Sequence, residues 1–73
     1  MNLNPKQRKE LEHPTRKAIY DFLQNYDKPA SLGEIGEGIE PPDLAIVFYH
    51  LNRLVKVELV EKVAGTERYR VAG

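Results

Sequence analysis

The chain has 73 residues and no cysteine, which sets one domain with a small core and excludes disulfide staples, thiolate metal sites and cysteine nucleophiles. No apolar run reaches membrane-spanning length and no signal-peptide pattern opens the chain, so a soluble cytoplasmic protein is expected. Eleven basic and eleven acidic residues cancel at neutral pH, so a partner attracted by strong net charge of either sign is not implied.

Asn4-Pro5 is a helix-start signal, with Asn capping and Pro at the first helical position, and a short polar helix is expected over residues 4–12. His13-Pro14 interrupts and restarts the helix. Thr15, Ile19, Phe22, Leu23 and Tyr26 then form a stripe at helical spacing, giving a first core helix over 14–27 that Asp27-Lys28-Pro29 ends. Ser31 followed by Glu34 has the spacing of a capping box and opens a helix over 31–39 that turns Leu32, Ile35 and Ile39 inward. Its glycines 33, 36 and 38 weaken it by propensity but allow close packing against a crossing helix. Glu40-Pro41-Pro42 is the turn into the next element.

Residues 42–56 read as an amphipathic helix. Leu44, Val47, Phe48, Leu51, Leu54 and Val55 fall on one side; Ala45, Ile46, Tyr49, Asn52, Arg53 and Lys56 fall on the other. After Lys56 the period becomes alternating. Leu59–Val63 and Glu67–Val71 are two β-prone runs joined through Gly65, a β-hairpin over 59–71. With Tyr69 and Val71 inward, Arg68 and Arg70 point outward together. The order is helix, helix, short helix, turn, helix, hairpin. The expected fold is therefore α+β, a winged helix-turn-helix with three core helices, a two-stranded β-wing and a short additional N-terminal helix.

These residues resemble the ArsR-type winged helix-turn-helix transcriptional regulators. His13-Pro14-Thr15-Arg16 with Ile19 and Leu23 is similar to that family's first core helix. Glu34-Ile35-Gly36-Glu37 with Ile39 resembles its positioning helix, and Val47-Phe48-Tyr49-His50-Leu51-Asn52-Arg53-Leu54 its recognition helix. Leu59-Val60-Glu61 and Gly65 through Tyr69 resemble its wing. The resemblance spans residues 13–71 and implies a DNA-binding regulator acting as a dimer. Three departures stand out. The turn at Glu40–Asp43 is about one residue longer than is usual in the family, Glu58 replaces the usual glycine before the wing, and the chain stops where many relatives continue into a dimerisation helix. A homodimer would then rely on the N-terminal helix. No metal-binding cysteine pair is present, and no metal or other cofactor is expected.

The function expected is a transcriptional regulator of double-stranded DNA. Ala45, Ile46, Tyr49, Asn52 and Arg53 would read base edges in the major groove, and Lys56, Lys62, Arg68 and Arg70 would grip phosphates. Charge segregation supports this. Residues 1–20 hold five basic against two acidic groups, residues 21–51 one against six, and residues 52–73 five against three, a basic footprint at the two ends. The acidic middle opposes it, because Glu37, Glu40 and Asp43 near the start of the recognition helix repel phosphates there. The alternative is a winged-helix module that binds protein through Ile46 and Tyr49 without binding DNA. On that reading the hairpin cations only keep an edge strand soluble. His50 is assigned to packing or a structural hydrogen bond, since a lone histidine needs converging partners to do chemistry. No nucleophile elbow, phosphate loop or metal-ligand spacing points to an enzyme.

Overall fold

The computed structural model describes residues 2–40 and 43–73. Its elements are α1 (Pro5–Glu10), α2 (Pro14–Asn25), β1 (Ala30–Ser31), α3 (Leu32–Glu37), α4 (Leu44–Lys56), β2 (Val60–Lys62) and β3 (Arg68–Val71). Three helices pack around one core and a small antiparallel sheet lies beside them, a fold compatible with a winged helix-turn-helix.

Local chemistry starts each helix. The Asn4 side chain accepts the Gln7 N–H and the Gln7 side chain accepts the Asn4 N–H, a reciprocal capping box at α1. His13 caps α2 through its own ring, with Nδ1 accepting the Thr15 N–H at 3.2 Å. Ser31 and Glu34 close the capping box of α3. Asp43 caps α4, its Oδ1 accepting the N–H groups of Ala45 and Ile46. Helix α4 is described from Leu44; Pro41 and Pro42, and the turn and helix start expected there, lie outside the described residues.

Ile19, Ile35, Val47, Leu51, Leu54 and Val60 are the largest fully buried side chains, each contributing about 1.5–3 kcal/mol relative to exposure. They come from α2, α3, α4 and β2, so the helix-turn-helix pair and the sheet share one core. Gly38 serves the expected close packing. A Cβ placed there would collide with the Phe22 ring.

The sheet has a strand that the sequence pattern misses. Its order is β1-β3-β2, with Ala30 opposite Tyr69, Ser31 opposite Arg68 and Glu61 opposite Arg70. The expected hairpin is therefore flanked by a third strand. Two residues are too few to show alternation, and β1 exists only because β3 offers it a long-range partner. Tyr69 faces the core, and Arg68 and Arg70 are exposed on the opposite side, as alternation requires.

Glu58, between α4 and β2, has φ +65°. This left-handed conformation is strained for a residue with a Cβ and free for glycine. Glu58→Gly is expected to stabilise the fold by about 0.5–1 kcal/mol, the relieved strain exceeding the entropy gained by the unfolded chain. Chemical denaturation of both proteins checks this, and an unchanged or lowered midpoint would contradict it.

Candidate nucleic-acid interface

The buried side of α4 is Val47, His50, Leu51 and Leu54. This differs from the expected apolar face in a specific way. Leu44 and Phe48, assigned inward, are each 46 % exposed, and His50 is 3 % exposed. The helix is rotated about its axis so that His50 turns in and the Leu44–Phe48 edge turns out. Arg16 of α2 is the polar partner that His50 meets on the buried side. It is itself buried, and its Nε donates to His50 Nδ1 at 3.1 Å, satisfying both groups inside the protein. The contact agrees with the assignment of His50 to packing or a structural hydrogen bond, while the helical pattern alone does not name Arg16 as its partner.

The rotation centres the outward face on Ala45, Tyr49, Asn52 and Lys56. All five residues assigned to base reading are exposed, including Ile46 and Arg53 at one border of that face, and Phe48 joins them at the opposite border. Four exposed large apolar groups, Leu44, Ile46, Phe48 and Tyr49, cluster on this one helix. Exposure of this kind marks an interface. The amide ends at the helix N-terminus are less available than geometry alone suggests, because Asp43 already occupies two of them with its carboxylate.

Arg53 does not extend freely into solvent. Its Nε and Nη2 hold the two Glu10 carboxylate oxygens at 2.9 Å each, and its Nη1 donates to the Tyr49 hydroxyl at 3.4 Å. Glu10 also accepts from Arg16 at 2.6 Å. One acid of α1 thereby joins cations from α2 and α4. The Arg53 contact holds the Glu10 carboxyl below its ordinary value, opposed by partial desolvation. Gln7 adds a second tie, its side-chain amide donating to the Val57 carbonyl just past α4 at 3.0 Å. The polar N-terminal helix, expected to need a partner, is docked on the chain's own recognition helix.

The wing cations are paired as well. Lys62 meets Glu67 at 2.8 Å, Arg70 meets Glu61 at 2.6 Å, and Arg68 meets Glu34 at 2.7 Å and also donates to the Pro29 carbonyl. Arg68 thus fastens β3 to α3. The Glu34 carboxyl is pulled down to about 2, first by the Ser31 N–H and then by Arg68 and Tyr26, against partial desolvation. Among the described residues, Lys56 is the one proposed phosphate contact without an ion pair. The sequence signal for these pairs existed only where partners sit close in the chain; Glu10–Arg53 and Glu34–Arg68 needed the fold.

Among the described residues no cluster of His, Asp and Glu is placed to hold a metal ion, and no helix is long and apolar enough to cross a membrane.

Burial and the neighbouring Arg16 push the His50 imidazole below its ordinary value of 6.5. His13, Tyr49 and Arg53 also face it. Since the folded state resists protonation, stability is complete above about pH 6.5 and falls as pH drops below it. The lowered carboxyls of Glu10 and Glu34 act in a separate window, their contribution declining only below about pH 4.5. His50→Asn keeps an acceptor for Arg16 and removes the titration. Its unfolding midpoint should be lower than wild type but flatter between pH 5 and 7. An equally steep profile in the variant would contradict this assignment.

Comparison with known proteins adds one match. A family model described as a helix-turn-helix domain matches residues 11–63, which run from just before α2 through β2 and leave α1 and β3 outside. No curated protein and no solved structure matches the chain. With most of its length covered by that match and α3 followed by α4 in the required order, the chain belongs to the family of helix-turn-helix domains, the module with which DNA-binding regulators place a helix in the major groove.

Proposed function

We propose that the protein is a cytoplasmic, sequence-specific DNA-binding transcriptional regulator of the ArsR-like winged-helix type, and not an enzyme. The observation that carries this reading is the outward face of α4, where Ala45, Ile46, Tyr49, Asn52 and Arg53 are all exposed on one helix of a helix-turn-helix domain. Asn52 has the amide suited to adenine N6 and N7, and Ile46 and Ala45 suit thymine methyls. Lys56 grips the backbone directly. Lys62, Arg68 and Arg70 reach phosphates from the wing by exchanging an intramolecular carboxylate for a phosphate oxygen. The neutral net charge makes non-specific attraction weak, so base contacts carry a larger share of recognition.

The ArsR likeness also supports a homodimer on a pseudo-palindromic site, with half-sites about one helical turn apart. Leu3 and Leu11 already pack on the chain's own core, so a dimer through the N-terminal helix would use that helix's polar outer side.

A second reading has its own observation. Leu44, Ile46, Phe48 and Tyr49 are exposed large apolar side chains on one helix, and the guanidinium of Arg53 beside them is already held by Glu10. That combination suits a protein-binding module without DNA affinity.

Fluorescence anisotropy with a random-sequence duplex across a salt series separates the two. The regulator reading expects log affinity to fall linearly with log salt, by about 0.9 per phosphate contact. Lys56→Ala should reduce that slope by about one unit without changing sequence preference. Asn52→Ala should weaken the selected site by about 1–3 kcal/mol and relax preference at one base pair. Unchanged affinity in both variants would refute the proposed mode. Absence of wild-type binding at low salt would favour the protein-binding module, and loss of a partner on Tyr49→Glu would then locate its surface.

A further inference from the structure

The two basic ends of the sequence meet in space. Docking of α1 on α4 creates an open cleft of about 650 Å³, with Lys6 and Lys9 on one wall and Tyr49, Asn52 and Lys56 on the other. We propose that this cleft is a second phosphate track, taking the DNA backbone that adjoins the base pairs read by α4. The inference rests on the DNA-binding reading and adds Lys6 and Lys9, which no sequence motif singles out, to the binding residues.

Four observations support it. First, Tyr49 and Asn52 line the cleft and also belong to the outward face of α4. A duplex seated on that face lies against the residues that line the cleft. Second, Lys6 and Lys9 are exposed and, among the described residues, form no ion pair, as is true of Lys56. A phosphate meeting these three lysines breaks no existing pair, whereas one meeting Arg53, Lys62, Arg68 or Arg70 must displace a carboxylate. Third, the acid inside the cleft is already compensated. Glu10 is held by two arginines, which leaves Glu58 at the rim as the opposing charge. Fourth, the lysines are held in place. Gln7 is fastened to the Val57 carbonyl and Glu10 to Arg53 and Arg16, so the α1 backbone between them is fixed against α4 at two points. Lys6 and Lys9 are separated by three residues and therefore lie on neighbouring turns of one side.

The test is the salt dependence of binding to a random-sequence duplex, with Lys6→Ala/Lys9→Ala beside wild type, and the binding of Asn52→Ala beside wild type to a duplex that carries the selected site. The expected result is a slope smaller by about 1.8 in the double variant, from two lost contacts at about 0.9 each, with an unchanged thermal midpoint. Should alanine disturb the short helix, Lys6→Gln/Lys9→Gln removes the charge with less effect on helix propensity and must give the same loss. Glu58→Asn, which suits the left-handed backbone and removes the opposing charge, should raise affinity. A double variant with the wild-type slope, while Asn52→Ala binds more weakly, would overturn the cleft and leave the reading face standing. Failure of wild type to bind at any salt would overturn the DNA-binding reading, and the cleft with it.

Discussion

Glu10 is the group on which the arrangement of the reading helix depends. Its carboxylate receives Arg53 through two hydrogen bonds and Arg16 through a third. Arg16 in turn holds His50 inside the protein. These contacts run from α1 through α2 to the inner and outer sides of α4 and join the three helices beside the apolar core that seats α4. The bidentate geometry matters because it fixes direction as well as distance. Beyond it, α1 has no buried residue of its own and is tied by the Gln7 side chain to the Val57 carbonyl and by the partial burial of Leu3 and Leu11 at its margins.

The same chemistry explains how a chain of zero net charge can present a basic surface. Three of the six acids of the central segment are taken up within the fold, while Asp27, Glu37 and Glu40 form no ion pair among the described residues. Asp21 pairs with Lys17, Glu34 with Arg68, and Asp43 turns onto the amides of its own helix. What remains unpaired beside the reading face is a lysine set, Lys6, Lys9 and Lys56, drawn from both ends of the sequence. Ligands with spaced negative charges would gain from such a set, and its strength would vary with ionic strength because all three groups are exposed.

Much of the fold was legible because its signals are local. The caps at Asn4, His13 and Ser31, the inward stripes of α2 and α3, and the alternation of β3 each lie within a few residues. The Glu58 anomaly was visible too, and its positive φ shows what the missing glycine would have supplied. Illegible features were those made by distant partners. β1 needs β3, the burial of His50 needs Arg16, and the exposure of Leu44 and Phe48 follows from that burial. For the candidate site, the exposed positions on α4 were readable from helical period alone. Their electrostatic state was not, since Glu10 is 43 residues from Arg53 and Glu34 is 34 from Arg68.

Amide chemical-shift mapping of the isotope-labelled protein, titrated with a short DNA duplex at low salt, tests the central claim most directly. The account predicts a contiguous set of shifts along Ala45, Tyr49, Asn52 and Lys56, continuing into Lys6 and Lys9, with the Glu10–Arg16–His50 network responding behind them. Shifts confined to α2 and the outer sheet strands, or none at all, would contradict the claim that this helix and the cleft beside it form the nucleic-acid interface.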